Sequence, residues 1–269
     1  MSSKCVPIYP HPILFVETSD NKKFLTISDV HIGCEDRANQ AGVFVKTEDN
    51  VKSLLEILLT IQLRTGIENL IILGDLKSST SIISRTEWNN VPYFIKTLMK
   101  TFTIYIIPGN HDGNISQLLP DGVNLMLAKG MLLDHILFIH GHTNPRIGPN
   151  LKKIIAGHLH PIIKKEGSIL NGAKVWVKID LARVENNGIA GKAVDRNLEV
   201  ILVPHFNQFL DFFIRSSSIK FESNTKSKLP FLDSMLHKQN WHINNAFMYT
   251  LDGSLIGTVD DVRRMLYMN

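Results

Sequence analysis

The sequence predicts an α/β fold built around a mixed sheet. Short β-branched runs alternate with helix-length amphipathic stretches, each run is apolar at nearly every position, and each ends in a loop of Asp, His, Asn and Gly. Unbroken apolar runs of strand length suit a sheet covered on both faces. Strand–helix–strand alternation is the signature of βαβ units.

The first strand is expected over Phe24–Ser28, running into Asp29-Val-His-Ile-Gly33. A helix over Glu48–Leu63 follows, because Val51, Leu54, Leu55, Leu58, Leu59 and Ile61 share one broad face and Gly66 supplies a stop. Asn69–Leu73 then leads into Gly74-Asp75, and a second helix is expected within Arg85–Lys100, with Pro92 near its start or at a kink. Thr101–Ile107 leads into Pro108-Gly-Asn-His-Asp112, Ile136–Ile139 into His140-Gly-His142, and Leu151–Ala156 into Gly157-His-Leu-His160. From Leu125 onward short strands dominate, and turns at Lys129-Gly130 and Asn171-Gly172 predict hairpins. Beyond about residue 205 the character changes. Ser216–Lys228 is rich in Ser and Lys and reads as a loop, and Val259–Leu266 reads as a short helix capped by Thr258 or by Asp260 and Asp261. With no internal repeat, residues 1–269 read as one domain with a C-terminal extension from about 205.

With 44% hydrophobic and 20% charged residues, the chain is neither disordered nor membrane-like in composition. No apolar run approaches the ~20 residues that span a bilayer. Ile13–Val16 is too short for a signal-peptide core and follows three prolines, so a cytoplasmic location is expected, away from membranes. Cys5 and Cys34 lack zinc-ligand spacing and read as thiols in a reducing compartment. The net charge of +4 and pI near 9.0 lean toward a polyanionic partner, but no basic tail or tract sharpens that reading. The oligomeric state is left open.

Chemistry concentrates at the strand ends. In an Asp-x-His sequence alternate residues share a face, so Asp29 and His31 project together. Asp75, Asn110, His140, His158 and His160 follow four further strands, at what should be the same carboxyl edge. Imidazole and carboxylate donors without thiolate suit manganese, iron or zinc, with manganese the leading candidate. The set is too large for one tetrahedral ion and fits two divalent metal ions sharing a carboxylate.

In order, Asp29-x-His31, Gly74-Asp75, Gly109-Asn-His-Asp112, His140 and Gly157-His-x-His160 resemble the calcineurin-like metallophosphoesterase superfamily over roughly residues 24–161. Ser28-Asp-Val-His-Ile-Gly-Cys-Glu35, Gly74-Asp-Leu-Lys77, Gly157-His-Leu-His-Pro161, Val203-Pro-His-Phe-Asn207 and Leu251-Asp-Gly-Ser-Leu-Ile-Gly257 resemble its Icc-related branch, which includes ligase-associated nucleases. The resemblance implies a four-layer α/β/β/α sandwich of two mixed sheets. It implies one metal on Asp29, His31 and His160, a second on Asn110, His140 and His158, and Asp75 bridging them. His111 would be catalytic, donating a proton or hydrogen bond to the leaving group; imidazole suits that task because it titrates near neutral pH. The implied reaction is hydrolysis of a phosphate ester, a phosphodiester in DNA or another nucleic acid. A nucleotide-sized phosphodiester or a phosphomonoester is the alternative substrate, and a non-catalytic scaffold the remoter one. Two departures stand out: Lys77 replaces an acidic residue or His, and Gln208 follows Phe206-Asn207 where a glycine-rich stretch is usual.

Other residues carry weaker signals. His11, His135, His205, His237 and His242 have no informative spacing and read as ordinary surface or core residues. His142 reads as a loop hydrogen-bonding residue more than a site residue. Asp112 either orients His111 or caps its turn, and Arg146 either meets phosphate or is merely exposed. Glu35 and Lys77 lie near ligand motifs without an assigned role. Phe206, Phe209, Phe212 and Phe213 read as packing residues in preference to base-stacking ones.

Overall fold

Six strands form the first sheet: β1 (Lys4–Pro7), β2 (Leu14–Glu17), β3 (Lys23–Ser28), β4 (Asn69–Leu73), β5 (Thr103–Ile107) and β6 (Asn124–Leu125), hydrogen-bonded in that order. In this computed structural model, residues 3–40, 42, 45–164, 167–186, 193–211 and 229–267 are described. The expected loop Ser216–Lys228, with Phe212 and Phe213, lies outside them. β3 through β6 are parallel, whereas β1, β2 and β3 pair antiparallel. The second sheet has the order β13-β12-β10-β11-β9-β8-β7. Its strands are β7 (Met131–Leu133), β8 (Ile136–Ile139), β9 (Lys153–Ala156), β10 (Val175–Asn186), β11 (Ala193–Leu202), β12 (His242–Thr250) and β13 (Leu255–Gly257). β8, β9 and β11 are parallel and the other pairings antiparallel, so both sheets are mixed.

The period-two alternation of strand side chains makes the layers. Leu70 and Ile72 of β4 turn outward onto α2 (Thr47–Thr65) and α3 (Arg85–Leu98). Their neighbours Ile71 and Leu73 turn inward to meet Phe138, Ile155, Trp176 and Ile201 of the second sheet. On the far side, Ile154, Val175 and Val177 pack with Phe231 and Met235 of α4 (Pro230–Lys238) and with Val262 and Leu266 of α5 (Val259–Tyr267). The result is the α/β/β/α sandwich. Each fully buried Leu or Ile in these layers contributes about 1.5–3 kcal/mol. A short α1 (Glu35–Gln40) follows the first site loop. Among the described residues, no helix is long and apolar enough to cross a membrane.

The helices follow their sequence causes. α2 buries Val51, Leu54, Leu55, Leu58 and Ile61 and stops where Gly66, at φ 67°, returns its N–H to the Gln62 carbonyl. α3 opens with a capping box, Ser84 and Glu87 each bonding the other's backbone, and continues through Pro92 in mid-helix. At α5, Asp261 of the acidic pair accepts the Thr258 N–H at 3.1 Å.

Several expectations need correction. Lys129-Gly130 joins no hairpin, because β6 and β7 belong to different sheets and the turn carries the chain between them. The hairpin beside it is β7–β8, turning at Asp134 with φ 54°. Asn171-Gly172 lies on a short antiparallel return outside the named strands, held by the Ile162–Lys174 bridge and by hydrogen bonds of Ile163 N–H to the Ala173 carbonyl, Gly172 N–H to that of Ile163 and Val175 N–H to that of Pro161. β10 and β11, of 12 and 10 residues, are long strands. Their alternation of Val177, Ile179 and Leu181 with Lys178 and Asp180 masks them as apolar runs. The segment after residue 205 adds β12, β13 and both outer helices to the second sheet.

Candidate metal centre

The carboxyl ends of β3, β4 and β5 in one sheet meet those of β8 and β9 in the other. Beyond β3 and β4 the parallel ladder continues into the loops: Asp29 N–H donates to the Gly74 carbonyl (3.2 Å), His31 N–H to Asp75 (2.8 Å) and Ile32 N–H to Leu76 (2.9 Å). These bonds hold backbone that side-chain-bearing residues avoid. Asp29, His31, Asp75, His158 and His160 all have positive φ, from 44° to 68°. Such conformations cost on the order of 1–3 kcal/mol each and persist where the surroundings over-determine them. Two glycines permit the close approach of the loops. A Cβ on Gly74, itself at φ 69°, would stand 2.6 Å from His140 Nδ1, and one on Gly157 would overlap Ser28 Oγ.

The candidate ligands form two groups. Asp29, His31, Asp75 and His160 offer donor atoms all within 4.8 Å of one another, and Asp75, His140 and His158 do the same. Asp75 belongs to both: its Oδ2 lies 3.3 Å from His31 Nε2 and 3.4 Å from His140 Nε2. His160 Nε2 is 3.0 Å from Asp29 Oδ1. Asn110 joins the second group, its Oδ1 3.1 Å from His140 Nε2, which is also 3.1 Å from His158 Nδ1. The structure therefore brings together all seven residues singled out in the sequence.

Outer contacts aim these groups. The Leu73 carbonyl accepts from His140 Nδ1 at 2.8 Å, which leaves Nε2 for the cluster. Asp29 Oδ2 accepts from Ser28 Oγ (2.5 Å) and His158 N–H (3.1 Å), so Oδ1 faces the imidazoles. Asp29 Oδ1, His31 Nε2 and His160 Nε2 are buried without a hydrogen bond among the described residues. Unpartnered buried polar atoms are rare, and here they converge. Divalent cations fit this donor set of carboxylate, imidazole and amide.

Charge is arranged accordingly. Burial works to raise the Asp29 carboxyl, but His160 and His140 outweigh it and hold it down at about 2. Asp75 lies well below the carboxylate range because the close imidazoles of His140 and His31 outweigh its burial. Burial works to lower His140, but Asp75 and Asp29 hold it up at about 9. Burial and the nearby charge of His140 push His158 down to about 4, and burial lowers His31.

His111 stands at the rim. Its Nδ1 donates to the Ser78 carbonyl at 2.5 Å, its Nε2 is 4.0 Å from Asp75 Oδ2, and its backbone N–H donates to Asp75 Oδ1 at 2.8 Å. The orienting partner is thus Ser78. Asp112 instead caps the turns, accepting from the backbone N–H groups of Leu76 (2.9 Å), Lys77 (3.3 Å) and Gly109 (2.8 Å). Lys77 is buried, with its ammonium on the carbonyls of His111 (2.5 Å) and Ser79, so this departure from the family pattern fastens the His111 turn. Glu87 secures the same loop through the N–H groups of Ser78 and Ser79.

Glu35 is buried behind the first loop, accepting from Gly33 N–H (3.1 Å), Thr47 Oγ1 (3.1 Å) and Asn50. His237 and His242 are exposed, as is Arg146. Phe206 packs in the outer core of the first sheet. Two histidines depart from their expected places. His142 sets its ring 5.3 Å from that of His140, with Nδ1 buried and unpartnered among the described residues. His205, read as unremarkable, is fully buried with its ring 5.4 Å from that of His160. The missed signal was β11: it parallels β9, so the segment after it reaches the same edge.

The Pseudomonas putida nuclease MPE shares the architecture at 16% identity and a TM-score of 0.50, covering 94% of this chain and 100% of that one. Yfce, a phosphoesterase from E. coli, is 14% identical with a TM-score of 0.38, over 88% of this chain and 97% of that one. Among curated proteins no sequence matches the chain. The calcineurin-like phosphoesterase model matches residues 22–183, from β3 into β10, so the chain belongs to the calcineurin-like phosphoesterase family.

Proposed function

We propose that this chain is a dinuclear, manganese-dependent phosphodiesterase acting on DNA or another nucleic acid. The observation that carries the reading is the Asp75 carboxylate shared between two groups of donors. In this reading Asp29, His31 and His160 hold one ion, Asn110, His140 and His158 the other, and Asp75 both. Two bound divalent cations would supply Lewis-acid chemistry, activating water and offsetting charge on the phosphoryl oxygens.

The side chains supply the rest. The Leu73 carbonyl fixes the His140 ring, and the Ser78 carbonyl fixes His111 with its Nδ1 proton committed. Nε2 of His111 is then the ring nitrogen that faces a leaving oxygen, and it passes a proton there from the doubly protonated imidazolium, leaving the Nδ1–H neutral ring behind. Support for a nucleic acid comes from the net charge of +4 and from a structural neighbour that is a nuclease. The proposal also takes residues 1–269 as one working domain, in a cytoplasmic setting that keeps Cys5 and Cys34 as thiols.

The test is a screen of the manganese-loaded chain against bis-p-nitrophenyl phosphate, an aryl monoester, cyclic nucleotides, and single-stranded and duplex DNA. Expected is diester cleavage with DNA preferred, lost in Asp75→Asn. Cleavage of monoesters alone, or of nucleotides in place of DNA, would overturn the substrate assignment. Inertness toward every ester by protein holding two ions would overturn catalysis itself.

A further inference from the structure

The end of β11 delivers Val203-Pro-His-Phe-Asn207 to the ligand edge, beyond the stretch matched by the family model. This loop is tied on both sides of Asp29. Phe206 N–H donates to the Ser28 carbonyl at 2.7 Å, and Asn207 Nδ2 to the Val30 carbonyl at 2.8 Å. From beneath, the Lys174 ammonium holds the carbonyls of His205 (3.1 Å) and Asn207 (3.3 Å).

Within this frame His205 Nε2 lies 2.6 Å from Asp211 Oδ1. A carboxylate accepts, so Nε2 carries the proton and Nδ1 is left as a bare lone pair. That Nδ1 is buried and unpartnered among the described residues, while the ring stands beside His160. Leaving such an atom unsatisfied is unfavourable, and packing alone gives no reason to retain it. His205 is outside the group whose donor atoms all lie within 4.8 Å of one another, so it stands one step behind the ligands.

We propose that His205, oriented by Asp211, is a positioning residue of the subsite formed by Asp29, His31 and His160. Its Nδ1 accepts a hydrogen bond from a water enclosed beside His160 and so strengthens divalent-cation binding there without touching the ion. The inference rests on the dinuclear reading above.

Calorimetric titration of the full chain with Mn²⁺ tests it, comparing wild type with His205→Phe and His205→Asn. Phe keeps a ring but no acceptor; Asn places an amide oxygen near the position of Nδ1. Expected is that His205→Phe weakens one of two ions by roughly 10–100-fold and that His205→Asn recovers most of the loss. The metal-free melting temperature of each variant shows that it is folded. Unchanged binding of both ions by His205→Phe, or equal losses in both variants, would overturn the inference. A merely structural role would give such equal losses. Failure of the wild type to take up two ions would instead overturn the dinuclear reading, and this inference with it.

Discussion

β9 and β11 carry charged clusters at both ends, and only one of the two is self-sufficient. Near the start of β9, Glu199 gives one carboxylate oxygen to Lys153 at 2.7 Å and the other to Lys178 at 2.6 Å. At the opposite end, Asp29 and Asp75 face the imidazoles of His31, His140, His158 and His160, and buried donor atoms of Asp29, His31 and His160 lack hydrogen bonds among the described residues. The first cluster finishes itself; the second is built to be finished by something else. Strand pairing fixes both equally well, so rigidity does not separate structural from functional charge. Unmet coordination does.

Breaking the shared carboxylate should have the largest effect. Asp75→Asn is expected to lower diester hydrolysis by roughly 10³-fold and to abolish uptake of a pair of ions, read by steady-state kinetics and metal titration. His111→Ala should reduce turnover by roughly 10²-fold while metal stoichiometry stays at wild type. Loss of both metals in that variant would remove His111 from its assigned role. Gly157→Ala forces a Cβ into Ser28 Oγ. It should destabilise the fold by about 1–3 kcal/mol in urea melts and weaken metal uptake, because Asp29 leans on Ser28.

Glu199→Gln probes the closed cluster and should leave metal uptake untouched. Burial works to raise the Glu199 carboxyl, but Lys153 and Lys178 hold it below its ordinary value of 4.5. A depressed carboxyl stabilises the fold above its unfolded value, and that contribution fades as pH falls through the folded one. The variant should therefore be less stable by about 1–3 kcal/mol at pH 7, with the gap closing as pH falls below 4.5 and through the depressed value of the folded carboxyl. A change in manganese affinity would show that the two ends are not independent.

The strand ends most visible in the sequence are those whose strands are unbroken apolar runs. β4 and β8 were placed with their observed bounds, and β3, β5 and β9 to within two residues. Asp29, Asp75, His140, His158 and His160 were legible because each follows such a run. β11 alternates Leu198, Val200 and Leu202 with Asn197 and Glu199, so it was not recognised as a long strand, and the arrival of His205 was hidden with it. The partner of His111 was beyond reach for another reason. It is a backbone carbonyl, that of Ser78, and every residue has one. The two-sheet sandwich came from family resemblance, since alternation within a strand says which faces are covered but not what covers them.

Asp29 follows a strand of the first sheet, yet its carboxylate takes the N–H of His158, which follows a strand of the second. The centre therefore sits on a seam, and filling it would rivet the two halves of the sandwich together at that edge. Amide hydrogens around Gly74, Gly157 and Phe206 should then exchange more slowly once ions are bound, while those at the distant margins β1 and β13 keep their rates. Occupancy would be visible as a local stiffening, with no substrate present.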